Sequence, residues 1–237
     1  MVRGFAAAAG LSIFPPRKLK RMEPRFYKKI YSIGEFYWIL YRGLRTMTHL
    51  LRSKRNSELS PQLIERIMLA VTEVNGCEAC SYAHTRIALR KGMSEEEIHR
   101  LLAGNTAGIP TEESVAIMFA QHYADTRGNP TRESWPRLVE TYGTSRAYGI
   151  LGATRAMMIG NAYGTAWSAF VSRLKGKPVE KSNVLYEMSM IIIILIFFPI
   201  AAANAVISGI LAANPLLKRV DKASGRVYLA GGSWKGG

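Results

Sequence analysis

The chain reads as an all-α protein with a basic helical arm at its N-terminus and a C-terminal apolar helix of membrane-spanning length. Three observations predict this. Apolar residues recur at spacings of three and four from Phe26 to Leu51. Helix-start and helix-stop signals punctuate the chain after it at short intervals. No stretch shows the alternation with period two that a strand requires.

Residues 1–25 read as an irregular basic arm broken by prolines. A helix is expected from about Phe26 to Leu51, where Ile30, Ile33, Tyr37, Leu40, Leu44, Met47 and Leu51 form a narrow apolar seam. Such a seam packs against the main domain or a sister subunit. The aromatic cluster Phe36, Tyr37 and Trp38, with its basic flanks, leaves a membrane-surface role open. Ser60 and Pro61 mark the next start, as N-cap and first helical residue. That helix carries Glu65 and ends at Asn75-Gly76, and a second runs from about Cys77 to Lys91, stopped by Gly92. Ser94 and Glu97 read as a capping box. Thr111-Glu112-Glu113 opens a helix to about Ala124, and Thr131 caps another to Thr141. From Thr144 to about Lys175 a long helix holds Gly149, Gly152, Gly160 and Gly164. Glycine inside a helix costs about 1 kcal/mol relative to alanine, so these positions imply close backbone approach. The G-x-x-x-G at Gly160 and Gly164 suggests a helix–helix contact, including one between subunits.

Met188 to Ala213 contains no charged residue. As a helix it would extend about 39 Å, against about 30 Å of bilayer hydrocarbon. A small domain has little room to bury such a helix, so a single membrane span at about 188–213 is the reading. Lys and Arg flank it almost equally on both sides, and the positive-inside comparison is close to a tie. The asymmetry of the chain breaks the tie. The formal charge is +15, and residues 1–55 hold thirteen Lys/Arg against Glu23 and Glu35, a net +11. A patch of that sign favours an anionic cytoplasmic leaflet, which places the folded domain inside. Nucleic acid is the other anionic surface it could meet, but no recognisable nucleic-acid-binding motif accompanies it. No secretory signal is evident, and two cysteines do not make a disulfide-stapled scaffold.

Those two are Cys77 and Cys80, spaced C-x-x-C, with His84 one helical turn further on. On a helix the three fall within roughly 60° of one another. A thiolate is the nucleophile, so the pair needs groups that favour it. The helix start after Asn75-Gly76 offers N–H groups and the positive end of a dipole. His84, four residues after Cys80, can take or relay a proton. Glu65 on the preceding helix can orient that imidazole. Dipole reasoning alone favours Cys77 as the thiolate, and the i+4 spacing of His84 favours Cys80. A structural zinc would want four ligands in two separated clusters, and no second Cys/His cluster follows. His49, His99 and His122 are scattered singly.

The pattern E-x11-C-x-x-C-x-x-x-H, over Glu65, Cys77, Cys80 and His84, resembles the alkylhydroperoxidase D-type branch of the carboxymuconolactone decarboxylase-like superfamily. The likeness runs from about Glu58 to Pro178. It implies a helical domain at 58–178, with the arm at 1–57 and a linker, the apolar helix and a basic tail at 179–237. It also implies reduction of peroxides, with Cys80 as the attacking thiolate, Cys77 as the resolving one, and Glu65 and His84 as the proton relay. Some members carry a further histidine between the cysteines, where this chain has Ala79. The decarboxylase branch lacks the cysteine pair, which sets decarboxylation aside.

The expected activity is therefore a membrane-anchored thiol peroxidase that uses no cofactor and no metal. Its partners would be a hydroperoxide, a dithiol or disulfide-reducing protein, and a membrane. By resemblance it would form a trimer or hexamer. The rivals are a thiol–disulfide oxidoreductase or redox sensor acting on protein partners, and a non-enzymatic basic adaptor for nucleic acid or anionic membrane.

Overall fold

A computed structural model of the chain describes residues 26–213, and these are helical with no strand among them. The basic arm at 1–25 and the tail beyond 213 lie outside the described residues. The elements are α1 (Ile33–Arg55), α2 (Pro61–Asn75), α3 (Glu78–Arg90), α4 (Glu95–Leu102), α5 (Ser114–Asp125), α6 (Ser134–Leu174) and α7 (Val184–Ala213), with a short 3₁₀ turn at Thr111–Glu113 before α5. The all-α expectation holds.

The central element is α6, which touches α1, α2, α3, α5 and α7. Its backbone breaks at Gly143, where φ is 73°, so the long helix proper begins just beyond it. Ile150, Ala153, Met158 and Ala166 are buried on α6 against Phe36, Ile67, Val71 and Ile117 from its neighbours. Each of the larger ones, Ile, Val, Met or Phe, contributes about 1.5–3 kcal/mol on burial.

Helix α1 differs from its sequence reading in start and face, while its packing on α6 is the expected contact with the main domain. It begins at Ile33 rather than Phe26, because Ser32 caps it: Ser32 Oγ accepts from Glu35 N and Glu35 Oε2 accepts from Ser32 N, a complete capping box. The residues before it, 26–32, form a non-helical strap. The buried face of α1 is Phe36, Ile39, Leu40, Gly43, Thr46, Leu50 and Ser53, whereas Ile33 and Leu51 of the expected seam are exposed. The reason is distance. Here α1 and α6 approach through small residues on both sides, so the contact face is not the most apolar one. A Cβ on Gly152 would lie 2.9 Å from both Thr46 O and Leu50 Cβ, and one on Gly149 would lie 2.8 Å from Ser53 Cβ.

Other local readings hold with small shifts. Ser60 caps α2 with Pro61 in its first turn. Ser94 Oγ accepts from Glu97 N, but the Glu97 side chain turns away to Arg66 Nε at 2.6 Å, so this capping box is half formed. Arg66 Nη1 also donates to Glu113 at 2.8 Å, which ties α2 to α4 and to the 3₁₀ turn.

Among the described residues one helix, α7, is long and apolar enough to cross a membrane, with Val184–Ile210 mostly unburied and Pro199 inside it. It leans on α1 along much of its length. Phe197 packs on Phe36 and Tyr37, Asn204 Nδ2 donates to Tyr37 Oη at 2.6 Å, and Tyr41 Oη donates to Ser208 Oγ at 3.0 Å. At its start Arg173 forms a two-pronged pair with the buried Glu187 at 2.8 and 2.9 Å.

The α1–α6 contact makes a stability prediction. Gly152→Ala should cost about 1–3 kcal/mol, since the added methyl has no room. Gly34→Ala, where nothing lies within 4 Å, should be neutral or stabilise by up to about 1 kcal/mol. Denaturant unfolding of the two variants in detergent tests the ranking.

Candidate active site

The corner between α2 and α3 carries the cysteines. It forms because α2 ends at Asn75 and Gly76 takes the left-handed conformation, φ 73° and ψ 38°, which glycine adopts without strain. Asn75 is wholly buried and secured twice: Tyr31 Oη donates to its Oδ1 at 2.6 Å, and its Nδ2 donates to Met158 Sδ at 3.3 Å. The chain then turns so that Cys77 is the N-cap of α3 rather than part of the helix, and its sulfur accepts the Cys80 N–H at 3.2 Å. A sulfur at that position meets the unpaired N–H groups and positive dipole end of α3, which favour negative charge on it.

Cys77 and Cys80 are joined as a disulfide, with Cα atoms 5.3 Å apart. They lie against α6 at Gly164, where a Cβ would sit 2.8 Å from Cys80 Sγ and 2.9 Å from Cys77 Sγ. Cys80 Sγ also lies 3.4 Å from the Gly160 carbonyl oxygen, and Ser168 Oγ donates to the Gly164 carbonyl. The G-x-x-x-G therefore does serve a helix contact, but its second glycine makes room for sulfur within one chain. Cys77 is 0% exposed and Cys80 8%, so of the two only Cys80 reaches the surface at all.

Glu65 and His84 meet across the α2–α3 pair. His84 Nδ1 and Glu65 Oε2 are 2.8 Å apart, with the carboxylate side chain 8% and the imidazole 17% exposed. With Glu65 ionised, Nδ1 donates and Nε2 is free to accept a proton. Among the described residues, the hydrogen bond of His84 is to Glu65, and the contact of Cys80 Sγ is to Gly160 O. The four expected residues thus form two pairs, a sulfur pair and a carboxylate–imidazole pair, on adjoining helices.

The strap 26–32 crosses this corner, which sequence reading missed. Tyr27 N donates to Gly76 O at 2.7 Å and Lys29 N to Asn75 O at 3.0 Å. Tyr27 Oη donates to Glu78 Oε2 at 2.9 Å, and Lys28 Nζ pairs with Glu73 at 2.6 Å. Burial, then the Glu78 carboxylate, pushes the Tyr27 phenol up to about 12, so it remains a donor throughout the physiological range. Burial likewise raises the Tyr31 phenol. No apolar period marks residues 26–32 as a strap, and their apolar spacing merges into that of α1.

The remaining histidines are placed elsewhere. His49 stacks on Tyr148 with centroids 4.7 Å apart, and burial, then Arg52, holds its imidazole below the usual range. His122 Nε2 accepts from Thr131 N at 3.1 Å, and His99 lies in the last turn of α4. Among the described residues no three His, Cys, Asp or Glu side chains are grouped to share a metal ion.

Comparison with known proteins bears on this corner directly. The family described as the carboxymuconolactone decarboxylase family matches residues 40–120, from α1 into α5, and so takes in Glu65, Cys77, Cys80 and His84. An uncharacterised protein, YdfG of Bacillus subtilis (strain 168), is 28% identical over 88 residues, covering 37% of this chain and 60% of that one. The alkyl hydroperoxide reductase AhpD of Anaeromyxobacter dehalogenans (strain 2CP-C) is 37% identical over 60 residues, covering 25% of this chain and 31% of that one. The match thus spans under two thirds of either relative. No solved structure matches significantly. Residues 40–120 thus match the carboxymuconolactone decarboxylase family, and the cysteine pair within them fits its AhpD-like branch.

Proposed function

We propose that the protein is a thiol-dependent peroxidase in which Cys80 attacks the hydroperoxide and Cys77 resolves the product. The observation that carries this is the sulfur pair seated on Gly164, with its more exposed member Cys80 on the same helix as His84, whose imidazole is held by the buried Glu65. The Cys80 thiolate attacks the distal peroxide oxygen, the O–O bond breaks, and the alkoxide takes a proton to leave as alcohol. Cys80 is then a sulfenic acid. The Cys77 thiolate, favoured at the N-cap of α3, attacks that sulfur, and hydroxide leaves and is protonated to water. An external dithiol reduces the disulfide and is itself oxidised to a disulfide. Per cycle one hydroperoxide and one dithiol give one alcohol, one water and one oxidised dithiol.

In this scheme His84 moves the protons and Glu65 holds its Nδ1, fixing Nε2 as the exchanging atom. Substrate or a bound water completes the path from Nε2 to sulfur. A larger protein thiol could exchange with Cys80 in the same way. A sensor of that kind would cycle the disulfide reversibly with no catalytic peroxide turnover.

We further propose that α7 anchors the domain as a single span, with residues 26–183 on the cytoplasmic side, and that the assembly is a homo-oligomer. The uncharged run of α7 and the basic first quarter support the anchor. Crossing the bilayer would exchange the Asn204–Tyr37 and Ser208–Tyr41 bonds for lipid, so the docked and spanning positions compete.

Organic hydroperoxide consumption with a dithiol reductant tests the chemistry. Cys80→Ser should abolish turnover, and pre-reduced Cys77→Ser freed of reductant should consume one equivalent and keep a trappable sulfenic acid on Cys80. Glu65→Gln and His84→Gln should each lower the rate by about 10²–10⁴-fold, the usual worth of a positioned proton-transfer group. Turnover that survives Cys80→Ser would sink the assignment. For the anchor, a label on the tail beyond residue 213 should be reachable only from the face of the membrane opposite the domain. Labelling from the domain's own side would show that α7 lies along the surface instead.

A further inference from the structure

Cys77 is the less exposed cysteine although it stands outside α3, at the corner where the chain changes direction. A cap residue at such a corner is ordinarily accessible, so something else must cover it. One side of the answer is α6, through Gly164. The other is the strap. Tyr27 is bonded to the residues on either side of Cys77: its backbone N–H donates to Gly76 O at 2.7 Å and its phenol to the Glu78 carboxylate at 2.9 Å. Tyr27 therefore straddles Cys77. It does so from a backbone conformation that a bulky residue rarely adopts, φ 57°, which the surrounding bonds hold in place. Lys28 continues the cover, packing so closely on Gly76 that a Cβ there would lie 2.8 Å from Lys28 N.

We infer that Tyr27 determines which sulfur the outside can reach, closing Cys77 to incoming thiols and electrophiles and leaving Cys80 as the open one. This deepens the peroxidase reading, in which Cys80 meets both peroxide and reductant. With Cys77 covered, an external thiolate attacks Cys80 and expels Cys77. The leaving sulfur then departs at the N-terminus of α3, where its charge is favoured. Attack at the other sulfur would expel Cys80 and tie the reductant to a position from which it has no exit. The role belongs to a residue outside the family-matched stretch 40–120.

The test needs no peroxide, so its outcome is separate from that of the peroxidase reading. The full-length protein in detergent is reduced and treated with iodoacetamide, and labelling at Cys77 and Cys80 is followed separately by peptide mass spectrometry. In the unaltered protein Cys80 should label at least about tenfold faster than Cys77. Tyr27→Gly and Tyr27→Asn both tolerate positive φ and so keep the strap backbone while removing the ring. In both, the Cys77 rate should rise by about tenfold or more while that of Cys80 moves by less than about threefold. Tyr27→Phe keeps the ring and should stay within about threefold of the original at both sulfurs. Equal labelling in the unaltered protein, or Cys77 still protected in both ring-deleted variants, would overturn the inference.

Discussion

The sulfur pair fills the space that a side chain at position 164 would occupy. Nothing larger than hydrogen fits there, because a Cβ would come within 2.9 Å of both sulfurs. The arrangement of the corner follows from that one absence. With α3 able to close on α6, Cys77 can cap α3, Cys80 can lie one turn on beside it, and both can stay out of bulk water. The α1–α6 contact works by the same device at Gly149 and Gly152. Interiors are packed densely enough that one methyl group is felt, so each glycine sets a distance between helices.

Much of the site was legible in the sequence because its signals are local. The C-x-x-C spacing places two sulfurs one turn apart, Ser60-Pro61 starts α2, and Asn75-Gly76 ends it where the corner has to be. Glu65 and His84 lie nineteen positions apart, yet the α2–α3 hairpin brings them to 2.8 Å. What the sequence left hidden is tertiary. Apolarity alone selects the wrong seam on α1, whose real face contains Gly43, Thr46 and Ser53 because close approach rewards small size. The glycine pair on α6 was visible as a contact motif, but not that its partner would be sulfur. The strap carries no periodic signal at all, since its bonds to Gly76, Asn75, Glu73 and Glu78 are all made with residues more than forty positions away.

Two parts of the chain that lie far from the motif in sequence reach it through a short series of bonds. Tyr186 at the start of α7 donates to Tyr31 O at 2.7 Å, and Tyr31 Oη donates to Asn75, the last residue before the glycine corner. The apolar helix, the strap and the cysteine corner are thereby one connected unit rather than a catalytic core with appendages. Glu187, buried and paired with Arg173, fixes where α7 leaves the domain.

The most direct test of this account is the rate at which peroxide drives Cys77 and Cys80 into a disulfide in Gly164→Ala, compared with Gly160→Ala. A methyl at 164 should displace the sulfurs and slow bond formation by at least about tenfold, whereas one at 160 meets only the flexible end of Met157, 3.3 Å away, and should leave it nearly unchanged. Disulfide formation in Gly164→Ala at the original rate would contradict the claim that this glycine seats the pair.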